Sequence, residues 1–489
     1  MQKFVLHSAR PLARILLTIA LLSPLLLHTP VDAADKKPNI VLVMADDQGW
    51  GEMGYIGHPK LKTPNFDSMA KDGLRFDRFY AAAPVCSPTR GSVLTGRHPN
   101  RFGCFKWGNT LRPQEVTIAE ALKTAGYTTG HFGKWHLGSV INGSPVTPGA
   151  SGFDEWVSAP NFFDNNPILS DQGKAVAFKG ESSEVTVDAA LKFISKNAKK
   201  EKPFFAVVWF GSPHSPHIAA KEDFKLYKDA PKKLQNLYGE ITGMDRAFGK
   251  LRSSLNDLGV KDNTVLWYCS DNGAIQKIGD TGGFRGWKGM IYEGGLLVPA
   301  IMEWPAKISK ARISMSRCNT VDIYPTLLEI AGIKVSHSHP LDGISLLPLI
   351  EGAESQRSKA MGFWDTNTKG VGTPSKGWMT DLLAKQKAGQ QEEDPLRLRM
   401  DAGEIKKQYN IDELGGHAAW IDGDWKLHRI INKKSKKLSY ELYNLDKDKF
   451  EEHDMIAEEN ERAEKMKAAL STWQNSVIDS LNGKDYSNE

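Results

Sequence analysis

Short apolar runs alternate with helix-patterned segments from residue 39 onward, and that alternation predicts an α/β domain on a large, mostly parallel central sheet flanked by helices. Asn39 to Met44, Thr128 to Phe132, Phe204 to Phe210, Thr264 to Ser270 and Leu297 to Met302 are short runs without helical periodicity, so they read as buried strands. Thr63, Pro64 and Gly73 mark the cap, first turn and stop of one helix. Thr117 with Glu120 forms a capping box for another, ending near Gly126. Longer helices are expected around 184–199 and 231–258.

Past residue 366 the pattern changes. Lys, Gln and Glu dominate to about residue 415 without strand periodicity, which predicts an elaborated surface region. Then Ala418 to Ile421 and Trp425 to His428 flank the turn Asp422-Gly423-Asp424, an antiparallel hairpin pattern, and Glu458 to Leu481 reads as a closing amphipathic helix. The expected organisation is a main domain at 34–365, then the surface region and a small α+β subdomain within 366–489.

The first 33 residues have the form of a secretory leader. Lys3, Arg10 and Arg14 accompany the apolar run Ile15 to Leu27, and Val31-Asp32-Ala33 makes a small-x-small cleavage site. That run is interrupted by Pro24 and is shorter than the roughly 20 residues a membrane span needs. An exported chain, periplasmic or secreted and without a stable membrane anchor, is expected. The formal charge of +5 on 489 residues, with basic residues scattered, argues against a nucleic-acid partner.

Ligands of open α/β sheets bind beyond the carboxyl ends of the strands. There the sequence places Asp46-Asp47, Lys134-Trp135-His136, His214 with His217, and Asp271-Asn272. Adjacent carboxylates after buried strands call for a neutralising cation. Four oxygen donors suit Ca2+, or Mg2+, and argue against zinc. Lys134 and His136 lie two apart, so in extended backbone they face the same way. In Cys86-Ser87-Pro88-Thr89-Arg90, Pro88 starts a helix near Ser87, leaving Cys86 at its positive end with Arg90 one turn along the same face. Such a site favours an anion.

Cys86-Ser87-Pro88-Thr89-Arg90, continued by Gly91-Ser92-Val93-Leu94-Thr95-Gly96-Arg97, resembles the signature of the type I, formylglycine-dependent sulfatases of the alkaline phosphatase superfamily, with Thr89 and Gly91 where that family often has Ser and Ala. Gly133-Lys134-Trp135-His136-Leu137-Gly138 resembles its second signature. Pro213-His214-Ser215-Pro216 and Arg285-Gly286-Trp287-Lys288-Gly289 match two further positions, and the resemblance runs from Pro38 to about Ile350.

The resemblance implies an alkaline-phosphatase-like sandwich and a formylglycine-generating enzyme that oxidises Cys86 to an aldehyde, whose hydrate is the nucleophile. It further implies a metal held by Asp46, Asp47, position 86, Asp271 and Asn272, with Arg90 helping to ionise the nucleophile and Asp271 taking its proton. Lys134 and Lys288 would hold the sulfate, His214 would protonate the leaving alcohol and His136 would release the product. Pro213-His214 and Pro216-His217 duplicate one another, and the family pattern fits His214 better. His217 and Asn161 are candidate substrate contacts.

The implied substrate is a sulfated glycan or a small sulfate ester. Gly152-Phe153-Asp154-Glu155-Trp156, with Pro160-Asn161 behind it, resembles sulfatases acting on 6-sulfated galactosamine or galactose. Trp107, Trp156, Phe162 and Phe163 are candidates for stacking on sugar rings. Two other readings stay open: a phosphatase or phosphonate monoester hydrolase of the same superfamily, and a sulfated-glycan-binding protein without turnover. With position 86 modified, Cys104, Cys269 and Cys318 could form at most one bridge, and Cys269, inside an apolar strand, reads as core.

Overall fold

Strand β1 (Asn39–Ala45) is buried on both faces and has a parallel neighbour on each side. The computed structural model describes residues 1–2, 36–200, 202–334, 337–353 and 356–486. An N-terminal unit, residues 1–36, is separate from the unit that begins at Lys37. The expected leader lies outside the described residues. Among those described, no helix is long and apolar enough to cross a membrane.

The strands that follow are β2 (Leu74–Phe76), β3 (Phe79–Tyr80), β4 (Thr128–Lys134), β5 (Glu155–Ala159), β6 (Ile168–Asp171) and β7 (Lys174–Ala177). After them come β8 (Phe204–Trp209), β9 (Thr264–Ser270), β10 (Ala300–Glu303), β11 (Arg312–Ser314) and β12 (Cys318–Asn319). Ten of these form one sheet in the order β11-β2-β10-β9-β1-β8-β4-β5-β6-β7, while β3 pairs with β12. The centre, β9-β1-β8-β4-β5, is parallel.

Alternation along β1 assigns its side chains to two cores. Ile40, Leu42 and Met44 pack on one face with Phe205, Val207 and Trp267, whereas Val41, Val43 and Ala45 pack on the other with Phe204, Val208 and Tyr268. Helix α1 (Pro64–Asp72) and the long helices Ser182–Ala198 and Lys232–Asp257 cover the second face through Phe66, Phe193 and Phe248. Helix α2 (Cys86–Thr95) covers the first through Val93 and Leu94, and α3 (Ile118–Thr124), opened by the expected Thr117–Glu120 capping box, lies in the same core. This is the expected sandwich. Each fully buried Val, Leu or Phe contributes about 1.5–3 kcal/mol to holding it.

Two local expectations are corrected. The strand expected at Leu297–Met302 is Ala300–Glu303 and runs antiparallel to β9, because a helical turn, Glu293–Leu296, occupies the preceding chain. Thr63 precedes α1 but caps nothing. Its hydroxyl donates to Asp67 and accepts from the Gly54 N–H instead.

The second sheet is antiparallel, in the order β13 (Met361–Asp365), β14 (His417–Asp422), β15 (Trp425–Ile431) and β16 (Leu438–Asn444). The expected hairpin is β14–β15. The closing helix, Asn460–Leu481, buries Leu470 and Val477 against Ala418, Leu427 and Leu442. Between β13 and β14 lie helices, including Ser375–Lys387, and no strand. All four cysteines are buried and free, with Cys269 in the core as expected.

A buried ionic cluster joins the two sheets. Lys426 Nζ lies 2.8 Å from Glu293 Oε1 and 3.0 Å from Glu451 Oε1. Tyr80 donates to Glu293 Oε2 at 2.8 Å, and the Glu293 N–H donates to Glu451 Oε2 at 2.7 Å. His428 Nε2 meets Glu451 Oε1 at 2.7 Å, and His417 Nε2 meets His428 Nδ1 at 2.8 Å.

Candidate active site

The side chains read from the strand ends converge at the carboxyl edge of the parallel strands. Asp46 and Asp47 follow β1, and Asp271 and Asn272 follow its neighbour β9; all four are at most 2% exposed. Asp47 adopts a left-handed φ of 71°, a conformation Asp tolerates better than most residues. Its N–H donates to Asp271 Oδ1 at 3.0 Å, and Asn272 Nδ2 donates to Asp47 Oδ1 at 2.9 Å. These bonds lock the two strand ends together.

Helix α2 delivers position 86. Cys86 is its first residue, 2% exposed, so its thiol sits at the positive end of the helix. Burial nevertheless pushes the thiol pKa up, against the pull of Lys134 and Lys288. An unmodified thiolate is therefore disfavoured here. One turn on, Arg90 donates to Asp271 Oδ2 at 3.0 and 2.7 Å, stands 3.6 Å from Asp46 Oδ1 and lies over the Trp209 ring.

Lys134 closes β4 and reaches Asp46 Oδ2 at 2.6 Å. The residue before it has to be glycine. Gly133 has φ of 102°, and a Cβ there would lie 1.9 Å from the Trp209 carbonyl of β8. His136 reaches the site by a different route from the one expected: its φ is 54°, so the segment turns left-handed after β4 rather than continuing extended. Both its ring nitrogens are buried without a partner. Burial first, then Lys134, Arg90, His214 and Lys288, hold it neutral.

Lys288 Nζ lies 2.6 Å from Asp47 Oδ1. His214 Nε2 is 3.7 Å from Asp47 Oδ2, its Nδ1 is bonded to the Ser215 carbonyl, and its ring stacks on Phe162 with centroids 4.3 Å apart. Burial lowers the His214 pKa to about 3 despite Asp47. Burial raises Asp46 to about 7, with Lys134 opposing and Asp271 and Asp47 reinforcing. For Asp47, burial pulls upward, but Lys288, His214 and Lys134 outweigh it and hold the carboxyl well below the usual range.

The donor set fits a hard divalent cation. Ligand atoms of Asp46, Cys86 and Asp271 lie within 4.8 Å of one another, as do those of Asp46, Asp47 and His214. Asp46 Oδ1 and Asn272 Oδ1 are buried acceptors with no partner. Unpaired oxygens among three crowded carboxylates are what a cation would complete.

Other expected contacts are distributed differently. Asn161 Nδ2 donates to the Thr373 carbonyl at 3.2 Å while its Oδ1 is buried and unpartnered. His217 Nδ1 pairs with Glu240 at 3.3 Å, leaving Nε2 unpartnered. Of the aromatic candidates, Trp107 is 48% exposed, and Phe162 covers His214. Trp156 and Phe163 are core residues and cannot stack on a sugar. The Gly152–Trp156 segment is likewise structural: Phe153 is buried and Asp154 Oδ2 accepts the Thr129 N–H at 3.0 Å. Trp287, 36% exposed beside Lys288, was legible within the motif but not singled out, and no sequence signal pointed to Glu240.

Residues 38–333, more than half of the chain, match the Sulfatase family. N-acetylgalactosamine-6-sulfatase of Rattus norvegicus is 34% identical over 354 residues, 64% of this chain and 66% of the relative, so the match spans just under two thirds of that protein. An ulvan-active sulfatase of Formosa agariphila is 31% identical over 66% of this chain and 67% of its own. The solved structure of Ps i-CgsB in complex with k-i-k-neocarrahexaose superposes with a TM-score of 0.76 at 23% identity, covering 92% of this chain and 94% of that one. With the family match and the shared fold, the chain belongs to the sulfatase family.

Proposed function

We propose that the protein is a sulfuric ester hydrolase that removes sulfate from a sulfated carbohydrate or an aryl sulfate. The observation that carries this is the convergence of Cys86, three buried carboxylates, Asn272, Lys134, Lys288 and two histidines on one sheet edge. The relatives' names, which specify a sulfated galactosamine and ulvan, support a glycan. Residues 34–365 are read as the catalytic domain, with β13 passing to the second sheet, and export through the leader is part of the same proposal.

Formylglycine formed from Cys86 would supply a hydrated aldehyde, with one hydroxyl to attack sulfur and a second to expel the product. A Ca2+ or Mg2+ ion held by Asp46, Asp47, Asp271, Asn272 and position 86 would supply positive charge beside the reacting oxygens. Lys134 and Lys288 orient the sulfate from opposite carboxylates. Arg90 fixes Asp271, which takes up the proton of the attacking hydroxyl. The His214 Nδ1–H donates to the Ser215 carbonyl, which leaves Nε2 facing the site; once the anionic ester is bound, Nε2 must first take up a proton before it can pass that proton to the leaving alcohol. His136, neutral and with both nitrogens uncommitted, removes the last proton.

The relatives' names favour sulfate over phosphate. Asp46, Asp47 and Asp271 balance Arg90, Lys134 and Lys288, so a bound divalent cation would leave a net positive site that suits an anionic ester. The test is hydrolysis of matched aryl sulfate and aryl phosphate, with peptide mass analysis at position 86. Sulfate turnover together with loss of the Cys86 sulfur is expected. Phosphate preference, or an intact thiol in active protein, would refute the reading.

A further inference from the structure

Arg112, Arg399, Lys406 and Lys407 line one cleft with Asp401 and Glu404, so its walls carry more positive than negative charge. The cleft, 290 Å³, lies between the 102–112 segment that follows α2 and the 399–409 stretch between β13 and β14. Arg399 Nη2 donates to the Gly108 carbonyl at 3.2 Å, and its Nε is buried with no partner. Arg112 Nη2 donates to the Leu481 carbonyl at 2.9 Å, and its Nη1 is likewise buried and unpartnered. Lys406, by contrast, is committed to Asp401, and Lys407 lies over the Tyr409 ring.

Arg399 is also held in an unfavourable backbone conformation, φ 56°. Such positions cost about 1 kcal/mol or more and cluster at ligand sites. Burial presses its pKa downward against the pull of Asp401.

The cleft is tied to the nucleophile through one glycine. The Gly108 carbonyl takes the Arg399 bond, while its N–H donates to Ser87 Oγ at 2.8 Å, one residue from Cys86. Gly108 has φ of 73°, and a Cβ there would lie 1.9 Å from the Val371 carbonyl, so only glycine lets the 366–374 segment close in. The N–H of Val371, an exposed residue that lines the cleft, donates to the Trp107 carbonyl at 2.9 Å, so the cleft adjoins a residue whose indole is exposed.

We propose that Arg399 and Arg112 form a second anion subsite, which takes another sulfate or carboxylate of a polyanionic glycan while the scissile sulfate lies at Cys86. This rests on the sulfatase reading and narrows it: the preferred substrate is an oligosaccharide with anionic groups on neighbouring sugars. Guanidinium forks bind such groups bidentately and in a salt-sensitive way.

The test uses the full chain and Arg399→Ala, with aryl sulfate, a monosulfated disaccharide, a multiply sulfated oligosaccharide and one whose second group is a carboxylate. For the variant, KM and the calorimetric Kd for the doubly anionic substrates should rise about tenfold or more, with kcat, aryl sulfate kinetics and Tm unchanged. Arg399→Lys should restore part of the loss. Whichever oligosaccharide responds identifies the second group. Equal losses on every substrate would make Arg399 a positioning residue for the Gly108 loop and overturn the proposal, as would no change at all. Failure of the wild type to turn over any sulfate ester would refute the sulfatase reading instead, and calorimetry would still decide the subsite.

Discussion

Two of the protein's buried ionic clusters invite comparison, one at the strand ends around Asp46, Asp47 and Asp271, the other between the sheets around Glu293, Lys426 and Glu451. They differ in closure. Among the described residues of the inter-sheet cluster, no buried side-chain polar atom lacks a hydrogen bond, whereas at the strand ends Asp46 Oδ1, Asn272 Oδ1 and both His136 nitrogens make none. A buried polar group left unpaired costs about 1–3 kcal/mol, so the second cluster is built to stay as it is and the first to be completed from outside. Between these two clusters, burial of charge is common to both and unfinished hydrogen bonding distinguishes the candidate site.

The largest effect should come from the open cluster. Cys86→Ala is expected to abolish turnover, at least a thousandfold, while leaving the denaturant midpoint unchanged. A matching loss of stability would mean that Cys86 is structural.

Next should come Lys426→Met in the closed cluster. It strands two buried carboxylates and should lower unfolding free energy by about 3–5 kcal/mol, read from urea melts, with kcat retained below the new Tm. Lys288→Met should show the reverse, a large loss of kcat with little loss of stability.

Chelation comes third. Removing the metal should destabilise only the protein with an intact open cluster, by about 2.7 kcal/mol where free metal had stood at a hundred times its Kd, and Asn272→Ala should blunt the response. Thermal melts with and without chelator read it.

The smallest effect is a pH dependence of the closed cluster. His428 Nε2 meets the Glu451 carboxylate, so in a neutral His428 ring Nε2 donates there and Nδ1 is left to accept from His417 Nε2. Burial holds both pKa values well below 6.5, with His428 acting on His417 and with Lys426 and Arg285 on both. Below the unfolded value the unfolded chain binds protons that the folded one does not. Stability should therefore be full above about pH 6.5 and fall by about 1.4 kcal/mol per pH unit per histidine on acidification. His417→Gln with His428→Gln should flatten that slope, and an unchanged slope would show that the rings are charged in the fold.

The open cluster was legible in the sequence because its carboxylates, Asn272, Lys134 and His214 lie at or shortly past the ends of buried strands, and strand ends can be read locally. Asp46, Lys134, His214 and Asp271 all lie where that reasoning put them. His136 lies among these residues by a left-handed turn that alternation cannot see. Trp156 and Phe163 were misjudged because an aromatic residue looks the same in sequence whether it faces solvent or core. The closed cluster was not legible at all: Glu293, Lys426 and Glu451 pair across 133 and 158 residues, with no local periodicity to announce it. The same holds for β13, recruited from across the surface region, and for His217 with Glu240.

The adjacency of β1 and β9 also has a meaning in time. Cys86 leaves the ribosome about 180 residues before β9 begins, and at roughly 5–20 residues per second that is about 10–35 s. Throughout that interval the carboxylates after β1 lack their partners on β9, and the helix start around Cys86 lacks Asp271. The proposed thiol-modifying enzyme would therefore be given a long head start by strand order alone, and the proposed cation site would be complete only once the last central strand had arrived.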